Sequence, residues 1–312
     1  ERTNLHIMQP TKKKPFTSEH LEAWYRDGVI VIENFFDKSE VVSVFDAFVS
    51  MYGDKGSDIH DDTPLDRASF KKQFEFIDIL PYCSGLDLNL ISLHPDLISL
   101  AKFLLKVESV HLYQSHTWAK FTGATNYDQA FHCDFSNHTL TVPTTKLGSS
   151  TVNFLIYISD VYADLGAFEY VTRSDATEIL GPRVVQISEN YKASQAQLSE
   201  CAKLVEAPAG SLIVYGLDVF HRGTNLIRPR GYRYSMTVSY KKSGDDAIGF
   251  HVWQSKKEGD WNLIFEGATP CQLNCLGVPL PGDEFWSKTT ISQTLERWPN
   301  WNSEPYVLAL KR

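Results

Sequence analysis

The stretch "FHCDFSNH", residues 131–138, places two histidines, a cysteine and an aspartate within eight positions. On a β-strand alternate side chains point the same way, so His132 and Asp134 could hold one metal ion from a single face. The pattern alone is a weak signal. Random placement of 10 histidines and 38 acidic residues along 312 positions gives about one His-x-acid pair, and four occur. Context accounts for three of them. His20 and Glu22 fall in the first turns of a helix, where residues two apart do not share a face. His60 and Asp62 fall in a polar loop. His94 and Asp96 flank Pro95, where Asp96 complements the positive start of a helix. Only His132 and Asp134 lie in an alternating segment, "QAFHCDF", with Phe131, Cys133 and Phe135 on the opposite, apolar face. An interior His/Asp pair is costly unless it is hydrogen-bonded or metal-bound, and the residues alone leave both readings open.

A non-haem iron site needs two histidines and one carboxylate on one side of the metal. The best second histidine is His221, which follows a strand and a tight Gly-Leu-Asp turn in "GSLIVYGLDVFHRGTN". Its rival is His251 in "GFHVW", which is otherwise a core or rim residue. His138 is too close to His132 and is read as a loop residue or a contact to a ligand. In "RYSMTVSY", Arg233, Ser235, Thr237 and Ser239 share one face, while Tyr234, Met236 and Val238 share the other. An all-polar strand face that starts with Arg suits a wet cavity, and Arg grips a carboxylate with two parallel donors. Arg222 points away from His221, toward solvent or a salt bridge. Arg228 and Arg230, around Pro229, are expected at the surface.

These residues need elements to hold them. Residues 1–15 read as a polar tail. "TSEHLEAWYRDG" predicts a helix capped by Thr17 or Ser18 and stopped at Gly28, and "VIVIENFF" a short buried strand. Asp37 and Glu40 form a capping box for a second helix ending at Gly53. Residues 54–72 read as a loop or flap. "HPDLISLAKFLLKV" predicts a helix with Pro95 at its first position. From Val110 to about residue 253 the texture changes to strands: "VHLYQSHTWAKF", "DQAFHCDFSN", "STVNFLIYISDV", "AFEYVT", "GSLIVYG", "VFHRGTN", "RYSMTVSYKK" and "AIGFHVW". A polar, partly helical insertion interrupts them at 175–202. The segment from 256 carries Trp261, Trp286, Trp298 and Trp301 and reads as a cover. The expected class is mainly β with flanking helices, a double-stranded β-helix of the jelly-roll or cupin type. One domain is expected, with a helical part (1–109), a barrel core (110–253) and a C-terminal cover (254–312).

Composition sets outer limits. Apolar residues make up 43% and charged residues 22%, which predicts a packed core. A net charge of −8 offers no basic stripe for nucleic acid. No run reaches the ~20 apolar residues of a membrane span. Five cysteines without a C-x-x-C pair read as reduced thiols of a cytoplasmic protein, although Cys271 and Cys275 could bridge or share a metal. The chain starts at Glu1, which is read as a trimmed N-terminus.

"HCD", then "HRGTN", then "GYR" resembles the phytanoyl-CoA dioxygenase family of iron(II)- and 2-oxoglutarate-dependent oxygenases. The opening "LEAWYRDGVIVIENFF" and the tail "GVPLPGDEFW" are similar to it as well. The resemblance implies Fe(II) bound by His132, Asp134 and His221, with 2-oxoglutarate and O2 as co-substrates. It implies Arg233 on the distal carboxylate of 2-oxoglutarate, with Thr224, Ser235, Gln114 and Asn153 as helpers. His116, Trp118 and Lys120 share the strand face of Gln114 and become candidates for co-substrate or substrate contact. Arg173 does too, because "EYVTRSDA" stands where the family usually has a Pro-Gly-Ser-His-like turn. Arg233 also lies one residue further from His221 than is usual. The implied activity is oxidation of an unactivated C–H bond of a small molecule in specialised metabolism. Hydroxylation is the default, because Asp134 fills the position that halogenating relatives leave to chloride; desaturation and oxidative cyclisation stay open. The expected protein is a monomer or homodimer. Two alternatives stand beside it: a cupin-like hydrolase or isomerase using zinc on the same three ligands, and a non-enzymatic barrel.

Overall fold

The computed structural model describes residues 16–53, 75–123, 128–134, 138, 150–181, 192–245, 261–276, 278–283 and 286–310. The expected tail at 1–15, the loop at 54–72, the strand "AIGFHVW" with His251, and His60/Asp62 lie outside these residues.

The chain opens with helix α1 (Ser18–Asp27), strand β1 (Val29–Ile32) and helix α2 (Lys38–Tyr52). Both helix starts are built as their sequence demands. The His20 ring accepts the Thr17 N–H at 2.9 Å, and a Glu40 carboxylate oxygen accepts the Asp37 N–H at 3.0 Å. Gly28 ends α1 with φ +76°, in the left-handed region that a residue with a Cβ avoids. Next come β2 (Ile77–Ile79), α3 (Leu86–Ile91) and α4 (Pro95–Leu105). The stretch Leu86–Leu105 is apolar enough to cross a membrane by length and composition, but 78% of it is buried inside the fold. It is the core of the helical layer, with Leu88, Leu97, Leu100, Ala101 and Leu104 shielded from solvent.

Glu40 does a second job. Its other carboxylate oxygen meets Nε2 of the fully buried His94 at 2.9 Å, while His94 Nδ1 accepts the Asp96 N–H that opens α4. One pair thus ties the starts of two helices together. Burial is the largest influence on Glu40 and opposes its ionisation, but the hydrogen bond and charge of His94 and the Asp37 N–H together outweigh it and hold the carboxyl below its ordinary range. A depressed carboxyl adds stability that is present above its unfolded pKa and is lost as pH falls through the folded value. Glu40→Gln is therefore expected to cost about 1 kcal/mol at pH 7, the size of a lost cap. The deficit relative to wild type should shrink below pH 4.5, as read by thermal unfolding at pH 7 and pH 4.

The sheet region comprises β3 (Val110–Phe121), β4 (Thr151–Tyr157), β5 (Phe168–Tyr170), β6 (Lys203–Val205), β7 (Leu212–Tyr215), β8 (His221–Gly223) and β9 (Tyr232–Lys242). Six strands form an antiparallel sheet in the order β1-β7-β4-β9-β3-β2, and three form a second sheet, β6-β5-β8. The expected jelly-roll arrangement is present as two open sheets rather than a closed barrel. Strand alternation divides the large sheet into two faces. Val152, Phe154, Ile156, Tyr234, Met236, Val238 and Tyr240 pack with the helices. Leu155, Tyr157, Ile213 and Tyr215 pack against Phe168 and Val205 of the small sheet.

The insertion proves mainly helical where it is described, with α5 (Arg173–Leu180) and α6 (Lys192–Cys201). The C-terminal segment carries α7 (Trp261–Gly267), α8 (Pro270–Cys275), α9 (Lys288–Arg297) and α10 (Glu304–Ala309). It covers the helical layer: buried Gln272 donates to the Leu93 carbonyl at 3.0 Å, and Trp286 stacks on Trp301. All five cysteines are free thiols.

Candidate active site

His132, Asp134 and His221 converge so that one ligand atom from each lies within 4.8 Å of the others. Of the expected strand at 128–137, the described residues 128–134 form a single bridge, at His132. His132 and His221 exchange both backbone hydrogen bonds, at 3.0 and 2.9 Å. That bridge is enough, because it sets the two histidine rings side by side, 4.5 Å apart. Alternation still holds locally: Phe131 and Cys133 are buried on the other side.

The imidazole tautomers decide what this cluster can bind. His132 Nδ1 lies 2.9 Å from the Ala130 carbonyl, and His221 Nδ1 lies 3.0 Å from the Val219 carbonyl. A carbonyl only accepts, so both Nδ1 atoms carry the proton and both Nε2 atoms present lone pairs. These lone pairs face Asp134 oxygens at 3.9 and 3.7 Å. Three acceptors thus point at one place with no hydrogen between them. This is how metal-binding histidines are oriented, each held by a carbonyl behind it. Burial pushes His221 down to about 4, so its ring is neutral at physiological pH. For Asp134 burial acts the other way, but His221, His138, His132 and the Tyr215 hydroxyl together keep its carboxyl below the usual range. His132 is the most open of the three, its side chain 35% exposed against 8% for His221.

Three supports escaped the sequence reading. Tyr215 on β7 donates its hydroxyl to Asp134 Oδ2 at 3.3 Å, and its ring lies 4.8 Å from that of His221. Phe168 on β5 stacks on His221 with ring centroids 5.3 Å apart and also touches the Tyr215 ring, so the three rings form one cluster. Gln129 accepts the Gly223 N–H through its side chain. Alternation along β7 places Tyr215 on the inner face, but no local pattern shows that Asp134 stands opposite. Tyr215→Phe should weaken Fe(II) binding about 10-fold, the low end for a residue that orients a metal ligand. Competition for the metal against a chelating dye checks this.

The cavity face is formed by cross-strand rows. Gln114 pairs with Ser239, His116 with Thr237, Trp118 with Ser235 and Lys120 with Arg233. Asn153 lies on the other side of Ser239 and opposite Tyr215. Much of this face is satisfied internally. Trp118 donates to Thr237, Gln114 bonds to His116, and Ser239 donates to Asn153. Thr224 donates to the Ala167 carbonyl at 2.8 Å. On this face three buried atoms have no hydrogen-bond partner among the described residues: Gln114 Oε1, Asn153 Nδ2 and Arg233 Nε. One Arg233 Nη donates to the Gly166 carbonyl.

Other candidates fall outside this face. Arg173, expected as a substrate contact, has its guanidinium committed to the scaffold. It makes two bonds to Asp218, at 2.5 and 2.8 Å, and a third to the Trp24 carbonyl. Arg222 pairs with Glu169, and Arg228 with Asp164, as outward-pointing arginines should. His138 is buried beside the site, 2.6 Å from the Tyr113 hydroxyl.

The sequence profile of the family "Phytanoyl-CoA dioxygenase (PhyH)" matches residues 24–226. The chain belongs to this family. PhyH proteins are non-haem Fe(II)- and 2-oxoglutarate-dependent oxygenases, and the His132/Asp134/His221 set fits Fe(II). Solved structures share the fold at low identity. The α-ketoglutarate-dependent carbocyclase SnoK of nogalamycin biosynthesis is 18% identical, with a TM-score of 0.54 over 75% of this chain and 87% of its own. EctD from S. alaskensis, solved with 2-oxoglutarate and 5-hydroxyectoine, is also 18% identical, with a TM-score of 0.54 over 76% and 81%. HygX from Streptomyces hygroscopicus, solved with nickel and 2-oxoglutarate, is 16% identical, with a TM-score of 0.50 over 73% and 88%. No curated protein matches the sequence.

Proposed function

We propose that this PhyH-family protein uses Fe(II) and 2-oxoglutarate to oxidise an unactivated C–H bond of a small molecule in specialised metabolism, with hydroxylation as the default outcome. The observation that carries the reading is a pair of features on the inner side of the large sheet. Two histidine lone pairs and a carboxylate converge on a metal position, and a buried arginine with an unpaired Nε serves the same polar face. His132, Asp134 and His221 would hold the metal and leave its other positions open. Arg233 would bind the distal carboxylate of 2-oxoglutarate, with Ser235 and Thr224 beside it. Asn153 and Gln114 would use their unpaired Nδ2 and Oε1 toward bound molecules. His116 and Trp118 would border the substrate. When bound, iron and 2-oxoglutarate supply the oxidising chemistry; the chain orients its reactants and shields them from water. The small molecules held by structural neighbours, 5-hydroxyectoine in EctD and nogalamycin RO in SnoN, are in keeping with such a site.

A zinc hydrolase would use the three ligands but leave Arg233 buried without a role, and a non-enzymatic fold would leave three acceptors pointing at one another. Anaerobic titration with Fe(II) and then 2-oxoglutarate tests the reading. A weak visible charge-transfer band should grow in with 2-oxoglutarate. Metal bound at the three ligands with no band would overturn the reading and favour the zinc alternative.

A further inference from the structure

Lys120 sits at the end of the polar face of β3, directly across from Arg233 on β9. Both side chains are buried, at 6% and 8% exposure. Both cross the gap between the sheets and end against neighbouring backbone. A Cβ on Gly223 would come within 3.4 Å of Lys120 Nζ, and one on Gly166 within 3.4 Å of an Arg233 Nη and 2.8 Å of the Thr224 carbonyl. Gly223 lies two residues beyond His221 on β8, so the Lys120 ammonium occupies the inward space beside a metal ligand that any larger residue would fill.

The charge there is unbalanced. Neither Lys120 nor Arg233 forms an ion pair among the described residues. Asp128 is near enough for its charge to favour the Lys120 ammonium, but it forms no ion pair with it and is one anion against two cations. Among the described residues, the Gln129 amide lies beside Lys120 and the Tyr157 hydroxyl near Arg233, both neutral. Two buried cations with no ion-pair partner among the described residues are costly unless an anion joins them.

We propose that Lys120 is a second cationic contact for the distal carboxylate of 2-oxoglutarate, clamping it against Arg233. The proposal rests on the co-substrate reading above and adds a proton to it. Burial first, and repulsion by Arg233 second, push free Lys120 down to about 7. A bound carboxylate restores the charged form, so binding takes up a proton at and above pH 7. Affinity is then fully present below pH 7 and falls as pH rises above it, by at most about 10-fold per unit.

The test is calorimetric titration of the anaerobic Fe(II) protein with 2-oxoglutarate, and with 2-oxopentanoate, which lacks the distal carboxylate. Titrations run at pH 6 to 8.5 in two buffers of different ionisation enthalpy. Wild type should take up a fraction of a proton with 2-oxoglutarate and none with 2-oxopentanoate. Lys120→Met should bind 2-oxoglutarate about 10–100-fold more weakly, as expected for one charge-assisted bond. It should lose the proton uptake and leave 2-oxopentanoate binding unchanged. Lys120→Gln, which keeps length and polarity, should read the same way if the Met variant does not fold. Wild-type affinity and proton uptake in either variant would overturn the Lys120 contact alone. Failure of wild type to bind 2-oxoglutarate would overturn the co-substrate reading, and the contact with it.

Discussion

Asp134→Ala is expected to lose Fe(II) affinity by more than about 100-fold, beyond the 10–100-fold typical of residues that only support a ligand, and turnover should vanish with it. The carboxylate is the one anionic ligand of the set, and both histidine lone pairs point toward it, at 3.9 and 3.7 Å. Without it two neutral imidazoles remain, and His132 is the more open of them. The fold should survive, because the backbone bridge between His132 and His221 does not involve the Asp134 side chain. Metal content after anaerobic dialysis, read with circular dichroism as a folding control, checks both halves. Wild-type Fe(II) retention by a folded Asp134→Ala protein would place the metal elsewhere.

Arg233→Met should move binding and stability in opposite directions. Loss of the two-pronged cation should weaken 2-oxoglutarate by about 2–5 kcal/mol, the range for truncating one partner of a buried charge pair. The protein without 2-oxoglutarate should become more stable. Arg233 is buried, and burial lowers its pKa below the ordinary value, a sign that the charged form is disfavoured there. Removing a buried cation relieves a cost of several kcal/mol, whereas the bond to the Gly166 carbonyl returns roughly 1 kcal/mol net. Thermal unfolding with and without 2-oxoglutarate reads both effects. Wild type should gain about 2.7 kcal/mol at a ligand concentration 100 times Kd, and the variant almost nothing. A variant that loses stability without ligand yet keeps the ligand-induced gain would show that Arg233 serves the fold rather than the co-substrate.

Much of this architecture is local, and so legible in the chain. Thr17, Asp37 with Glu40, Pro95 and Gly28 mark helix ends through bonds made within a few residues, and the structure places those ends where they mark them. The alternation of Arg233, Ser235, Thr237 and Ser239 against Tyr234, Met236 and Val238 needs only a strand's two-residue period to separate a cavity face from a core face. The spacing of His132 and Asp134 likewise put two candidate metal ligands together.

Other features depended on which residues meet across distance. The tertiary fold brought His221 to His132 and Asp134 as a candidate third ligand, because the bridge to His132 joins segments some 90 residues apart, and a closed loop of that length leaves no local trace. It set both histidine tautomers through the carbonyls of Ala130 and Val219. It turned Arg173 into a clasp for Asp218 and Trp24, where the chain alone shows only an arginine beside a strand. It also brought Lys120 against Gly223 and beside Arg233, leaving two cations in need of an anion. Periodicity tells which way a side chain points, whereas only packing tells what stands opposite, and the chemistry of this site lies in what stands opposite.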